Sequence, residues 1–457
     1  MQKIILTGIM FFFLNISFGQ TNPVITNWLQ NTTVTAQHYL QGNSTPISDP
    51  DLVNVQLVQY SNDYVYATTT GLPSYVTGPF LDGNPSIATN QNAIFKFPLV
   101  PIVNSGNPVS TTPGNIGVFI NGVALFDYRD GVAWDPSSNA LCGGPGNPPC
   151  PGGPTATMDW NRDAVLAEMG GFDCSKAHPA MGNYHHHQNP SAFNLDLVVV
   201  SNICNLYNAD GLYAIDSTQH SPLIGFAYDG FPIYGAYAYL DTNGTGGIVR
   251  MKSGYSLRNI TVRNTDPSGQ PVSAGPAVST TYPLGYFRED YEYIPNSAPD
   301  YLDEHNGRFC VTPEYPNGIY CYFATVDQNW NSAYPYVIGP TFYGIPSAEK
   351  VTAINEPVTT YTPSSSGIAE QDLNNTPINI FLNPYSELII IQLLNLNQEH
   401  LNISLFDVSG KLTKQTGLHQ GSTIAYFDTQ DLYEGIYIVR IDNGKQQITK
   451  KVNLIKN

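Results

Sequence analysis

Five of the nine histidines in this 457-residue chain, His178, His185, His186, His187 and His220, fall within 43 residues. Three are consecutive in Asn183-Tyr184-His185-His186-His187-Gln188-Asn189-Pro190. Side chains alternate along a strand, so a strand here puts His185 and His187 on one face and His186 on the other. Two neutral imidazoles at i, i+2 suit a single transition-metal ion, because imidazole is a good ligand for zinc and copper. The expected set is His185 and His187 joined by His178, His220 or His305, with copper or zinc as the cofactor. The competing reading is a hydrogen-bonded or solvent-exposed triplet that binds nothing.

A second dense stretch is Leu302-Asp303-Glu304-His305-Asn306-Gly307-Arg308-Phe309-Cys310. Asp303 and Glu304 are the candidate catalytic residues, able to orient a ligating imidazole or to act as general base. Equally, they are loop acids that cap the following turn. Arg308 could hold a carboxylate with both arms of its guanidinium. Asp229-Gly230, between two apolar runs, reads as a hairpin turn, and Glu168 as a residue facing solvent. There is no GxSxG, HExxH, P-loop, GxGxxG or full EF-hand pattern. His220 and Ser221 are adjacent, and neighbours on a strand point to opposite faces, so they form no catalytic dyad.

The elements that must carry these residues are strands. Tyr, Gly, Pro and β-branched residues dominate, and only 12% of the chain is charged, which predicts a mainly β protein with long loops and a short helix. Residues 1–19 read as a signal peptide, with Lys3, an apolar run Ile4–Ile16 and a small-x-small cleavage site at Ser17-Phe18-Gly19. Residues 20–50 read as an irregular lead-in, and 51–345 as a large β domain. Within it, Val53–Tyr66 and Ala93–Pro101 are strand candidates, and Ile116–Phe126 is a hairpin turning at Asn121-Gly122. Asp159–Met169 is the helix candidate, with Asp159 as N-cap and Gly170-Gly171 as its end. Residues 241–282 read as a lid or flexible insertion, and 346–377, rich in Pro, Ser and Thr, as a linker. Residues 378–457 alternate apolar and polar over about seven short strands, the pattern of a small β-sandwich.

Lys and Arg total 19 against 36 Asp and Glu, a net charge of −17. Such a surface has nothing to neutralise phosphate, which argues against nucleic acid or anionic lipid as a partner. No run beyond the leader approaches the ~20 apolar residues of a spanning helix. Six cysteines, Cys142, Cys150, Cys174, Cys204, Cys310 and Cys321, fit an oxidising compartment. Connectivity is open from sequence alone; proximity suggests Cys142–Cys150, Cys310–Cys321 and Cys174–Cys204. A cysteine-ligated metal site lacks the CxxC pairs it needs.

Tyr184-His185-His186-His187, the block His220-Ser221-Pro222-Leu223-Ile224-Gly225-Phe226-Ala227-Tyr228-Asp229-Gly230-Phe231-Pro232-Ile233-Tyr234-Gly235, Leu302–Arg308 and Tyr334-Pro335-Tyr336-Val337 together resemble the YHYH-domain proteins of bacteria over about residues 50–345. Position 186 is His rather than Tyr, and a second Tyr-His-Tyr-His of many relatives reads Tyr320-Cys321-Tyr322-Phe323 here. His220 and His305 are therefore the expected substitute ligands. Phe381-Leu382-Asn383-Pro384, Ile403–Lys411, Gly435–Ile441 and Lys450–Lys456 resemble the type A sorting domain of the Bacteroidetes type IX secretion system. That resemblance implies export by the type IX machinery and a secreted or cell-surface protein, with the domain removed. Three functions stay open: a secreted metal-binding protein, a metal-dependent hydrolase or oxidase, and a non-catalytic surface or adhesion module.

Overall fold

A computed structural model describes residues 22–81, 87–144, 146–151, 158–191, 211–362, 378–383, 388–393, 399–408 and 410–454. The expected signal peptide, Cys204 and the later part of the expected linker lie outside them. The fold class is as expected: the regular structure is strand, about 40% against 4% helix, and the helices are short.

At the centre is a mixed sheet of eight strands: β1 (Asn115–Phe119), β2 (Ala124–Phe126), β3 (Ala177–Ala180), β4 (Asn183–His186), β5 (Leu223–Ala227), β6 (Pro232–Tyr234), β7 (Gly307–Cys310) and β8 (Ile319–Phe323), in the order β3-β4-β2-β1-β5-β6-β8-β7. The β2–β4 and β6–β8 pairs are parallel and the others antiparallel. Both faces are covered, which is why its inner strands read as nearly continuous apolar runs. In β8, Cys321 and Phe323 enter one core while Tyr320 and Tyr322 enter the other. The turn between β1 and β2 is Asn121-Gly122 as expected. Gly122 has φ +79°, and a Cβ there would meet Thr69 Oγ1 at 2.1 Å, so only glycine fits.

A five-stranded sheet covers one face: Glu349–Val351, Ala93–Pro98, Tyr64–Thr69, Val55–Tyr60 and Thr359–Thr360, in that order. Val58, Val65, Phe95 and Phe97 on it pack against Val118, Phe226 and Phe323 of the central sheet, with Trp28 between. This corrects two expected boundaries. The lead-in is not irregular, because it forms the helix Pro23–Thr26, buries Trp28 and pairs Thr35–His38 with Ile47–Leu52. The expected linker supplies both edge strands of the five-stranded sheet, so it begins only after those strands.

Residues 241–282 are likewise not a lid. Arg263, fully buried, grips Asp290 with Nε and Nη2 at 2.7 and 2.8 Å and also donates to the carbonyls of Pro276, Tyr282 and Pro283. A stretch poor in large apolar residues is thus pinned by a buried ion pair in which all three guanidinium nitrogens donate.

In the C-terminal region, Ile378–Asn383, Leu388–Leu393 and Ile424–Asp428 form one sheet, and Leu401–Asp407, Leu412–Leu418, Gly435–Asp442 and Gln447–Leu454 another. Ile389, Ile391, Leu405, Val439 and Ile441 fill the space between, as the alternation predicted.

The cysteines divide. Cys142–Cys150 is a disulfide, and Cys174 is disulfide-bonded. Cys310 and Cys321 are free, contrary to the expected bridge. In the register of β7 and β8, Cys310 faces Ile319 and Cys321 faces Arg308, so the two are diagonal rather than opposite, and their thiols meet in a hydrogen bond.

Asp290→Ala leaves the Arg263 guanidinium buried and unpaired. Urea unfolding is expected to show a loss of ~3–5 kcal/mol. A loss under about 1 kcal/mol, the size of an exposed pair, would mean the 241–282 excursion is held by something else.

Candidate metal centre

The β3–β4 hairpin decides which histidines meet. Its turn is Met181-Gly182, with φ +50° and +85°, the two positive values that a tight two-residue hairpin requires. Ala180 pairs with Asn183, which sets His178 directly opposite His185. Directly opposed residues share a face, and the two rings lie 4.7 Å apart. Alternation then brings His187 to the same side, its ring 4.8 Å from that of His185. One ring nitrogen from each of the three lies within 4.8 Å of the others.

Two of these rings have their protons fixed from behind. His185 Nδ1 is 2.8 Å from the carbonyl of Asn183, and His187 Nδ1 is 2.7 Å from that of Asp127. A carbonyl only accepts, so each Nδ1 carries a hydrogen and, in the neutral ring, each Nε2 presents a bare lone pair. Those two Nε2 atoms are 3.1 Å apart. Glu168 Oε2 approaches His178 Nε2 at 3.2 Å and His187 Nε2 at 3.3 Å. All three rings are buried. Phe126 stacks on His185 at 3.9 Å, and Phe172 meets His178 edge-on at 5.1 Å.

The charges follow. Burial, with His187 and His178 alongside, holds His185 well below the usual imidazole range. Burial also opposes charge on His187, yet the Glu168 carboxylate outweighs it and keeps that ring above its ordinary value. Glu168 is itself pulled far below the ordinary carboxylate range, because its contacts with His178 and His187 overcome its burial.

Glu168 was expected to face solvent and instead closes the cluster. The helix is Ala164–Glu168, not Asp159–Met169, and its N-cap is Asp163, which accepts from Val165 and Leu166. Asp159 lies before a strand, Asn161–Asp163, that pairs with Arg129–Asp135. Starting the helix at Ala164 makes Glu168 its last residue, on the inner side. Asp163 also accepts from Tyr336 Oη at 2.8 Å, and burial pushes its carboxyl up to about 7.

The remaining candidates lie elsewhere. His186 faces the opposite side as expected, bonded to Tyr75 Oη at 2.8 Å and to the Lys176 carbonyl at 3.2 Å. Burial drives it down to about 3. His220 turns its Nδ1 to the Ser221 carbonyl at 2.7 Å and packs beside Tyr234 and Tyr239. His305 bonds Thr341. Neither joins the three-histidine group. Asp303 accepts from the backbone of His305 and Gly307 and from Tyr320 Oη, while Glu304 is exposed. These are the contacts of a turn cap, tied to the sheet. Arg308 donates to the carbonyls of Tyr239, Leu240 and Pro299 rather than to a carboxylate. Asp229 does make the turn, accepting from Phe231, and it also takes Tyr322 Oη at 2.5 Å and the Gly344 amide at 2.8 Å.

A family model described as YHYH protein matches residues 94–335, which contain the whole cluster. One described as secretion system C-terminal sorting domain matches residues 379–456. The latter, a type IX sorting domain, indicates secretion and cell-surface localisation. No curated protein matches the chain. Among the described residues no helix is long and apolar enough to cross a membrane.

Around the cluster, burial raises Asp163 and Asp173 to about 7, and Asp229 in the sheet to about 6. Each folded value lies above the unfolded one near ~3.9, so the folded state keeps protons that the unfolded state has released. Their contribution to stability is therefore complete below that unfolded value and is lost as pH rises to about 6 or 7. Denaturation between pH 4 and 7 is expected to show falling stability from these groups, with Asp173→Asn flattening the slope. An unchanged slope in that variant would refute the assignment.

Proposed function

The chain belongs to the YHYH protein family, and on that premise we propose that it is an exported surface protein holding one transition-metal ion on His178, His185 and His187, with Glu168 beside them. The observation that carries this is the pair of Nε2 atoms facing each other at 3.1 Å while both Nδ1 hydrogens are committed to carbonyls. Two lone pairs at that distance repel unless something positive lies between or beside them. A tetrahedral ion with metal–nitrogen bonds of ~2.0–2.1 Å spaces its ligand atoms about 3.3 Å apart. The Glu168 contacts at 3.2 and 3.3 Å have that same spacing. Three imidazoles and a carboxylate suit zinc or copper. The carbonyls of Asn183 and Asp127 are the outer partners that such ligands use to fix tautomer and ring orientation.

A metal-dependent hydrolase or oxidase is the second reading, and one feature favours it. The Glu168 side chain is the most exposed member, at 25% against 9% and 3% for His178 and His187. A ligand that yields on its solvent side would leave an open coordination position for water, polarised by the ion.

Titration calorimetry with Zn²⁺ and Cu²⁺ tests the reading. The His185→Ala/His187→Ala double variant is expected to lose binding, and His186→Ala to keep it. Glu168→Gln should weaken binding by roughly 10–100-fold, and binding should release protons and weaken as pH falls. Equal binding by wild type and the double variant would sink the metal assignment.

Export rests on the tail. Deleting residues 378–457 is expected to leave the protein in the periplasm, as judged by fractionation and surface labelling. Normal display of the truncated chain would refute that role.

A further inference from the structure

Positive charge is scarce in this chain, with 19 Lys and Arg against 36 acids. Yet Arg250 and Lys252 both line one cavity of about 430 Å³, within the ~300–1,000 Å³ of small-molecule sites. It lies apart from the metal cluster, whose histidines are not among its walls.

The walls combine three kinds of surface. The first is a guanidinium in reserve. Arg250 donates from Nη1 to the Val326 carbonyl at 2.7 Å, and it has no carboxylate within ion-pair distance among the described residues. An arginine carries five N–H donors, so the edge that would grip a carboxylate is uncommitted. The second is aromatic. Tyr291 and Tyr334 stack at 3.9 Å and 4°, and Tyr255 meets Tyr334 edge-on at 5.4 Å. Tyr301 holds the Lys252 ammonium over its ring at 5.3 Å. The third is a polar rim, with the exposed Gln328 and the partly exposed Ser253. Asp327 also lines the cavity, but its carboxylate is taken by Asn329 and Asn331. Lys252 is steadied by Asp300 at 2.6 Å with its side chain 37% exposed.

We propose that this cavity binds an acidic sugar, a uronate unit of a polysaccharide outside the cell. The apolar face of a pyranose ring fits flat tyrosine surfaces, its hydroxyls suit the Gln328 and Ser253 rim, and its carboxylate answers the free edge of Arg250. A carboxylate on guanidinium is favoured over one on ammonium because two parallel bonds form, which makes Arg250 the anchor and Lys252 the secondary contact. A neutral sugar would leave that guanidinium edge desolvated and unanswered, which opposes its binding. Cell-surface localisation puts the cavity where such polymers are met.

The test is titration of the full chain with trigalacturonate and with the neutral maltotriose. Trigalacturonate is expected to bind, with maltotriose at least about tenfold weaker. Arg250→Gln, which keeps a donor for Val326, and Tyr301→Ala should each cost about tenfold or more, and Lys252→Gln a few-fold. Zinc binding by Arg250→Gln should match wild type, so a failure here is distinguishable from a failure of the metal reading. Equal affinity for the two trimers, no binding of trigalacturonate, or unchanged affinity in both cation variants would overturn the proposal.

Discussion

Two imidazoles whose Nδ1 hydrogens are already spent on carbonyls must face each other with whatever Nε2 carries, and at 3.1 Å that cannot be two lone pairs at rest. Either one ring is protonated or a cation shares both. The surroundings provide for the first alternative: Glu168 favours the charged form of His187, while burial disfavours charge on His185. They provide equally for the second, since removing one proton turns the same atoms into a nitrogen and oxygen ligand set. Proton and metal ion thus compete for one place, and the anion that stabilises either is the same carboxylate.

The wider fold solves a related problem repeatedly. Asp163, Asp173 and Asp229 are fully buried, and each receives a tyrosine hydroxyl, from Tyr336, Tyr184 and Tyr322 respectively. Asp303 receives Tyr320 in the same way. A buried carboxyl without donors is costly, so each acid fixes where its tyrosine must lie. Backbone amides fill the rest of each acceptor, as at Gly344 for Asp229 and Gly78 for Asp173. Tyr184, Tyr320 and Tyr322 fasten their acids to the central sheet, and Tyr336 fastens a loop to the strand Asn161–Asp163.

How much of this was legible follows the range of the signal. A two-residue repeat sufficed to put His185 and His187 on one face and His186 on the other, and Asn121-Gly122 sufficed for its hairpin. The seven-strand sandwich was legible for the same reason, as alternation is local. His178 could have been singled out by one more local step, reading Ala180-Met181-Gly182-Asn183 as a two-residue turn. Methionine with positive φ is an unusual occupant, and so the turn carried little signal. Glu168 was hidden by a helix start misplaced by four residues, because Trp160–Asp163 looks helical until its partner strand Arg129–Asp135 is known. The thiols of Cys310 and Cys321 were misjudged because a hairpin's existence was visible but its register was not. Arg263 was the least legible, since its partners Pro276, Tyr282, Pro283 and Asp290 come from an irregular stretch downstream with no periodic pattern to place them.

The ligands differ in how firmly they are held, and the difference bears on what the centre can do. His178 and His185 ride a hairpin whose register is fixed by Tyr184 packing with Tyr75 and Leu72 on the far face. His187 is held by the carbonyl of Asp127, whose own carboxylate is clamped by Arg129 at 2.7 Å. None of these can move without unpacking the sheet. Glu168 ends a five-residue helix and is followed by a 3-10 turn, Met169–Gly171, containing two glycines, and its side chain is more exposed than those of His178 and His187. Short terminal turns with few buried apolar contacts are where local opening is least costly. Three rigid imidazoles and one yielding carboxylate make a centre whose geometry is set by the sheet, while access to it is set by a single side chain.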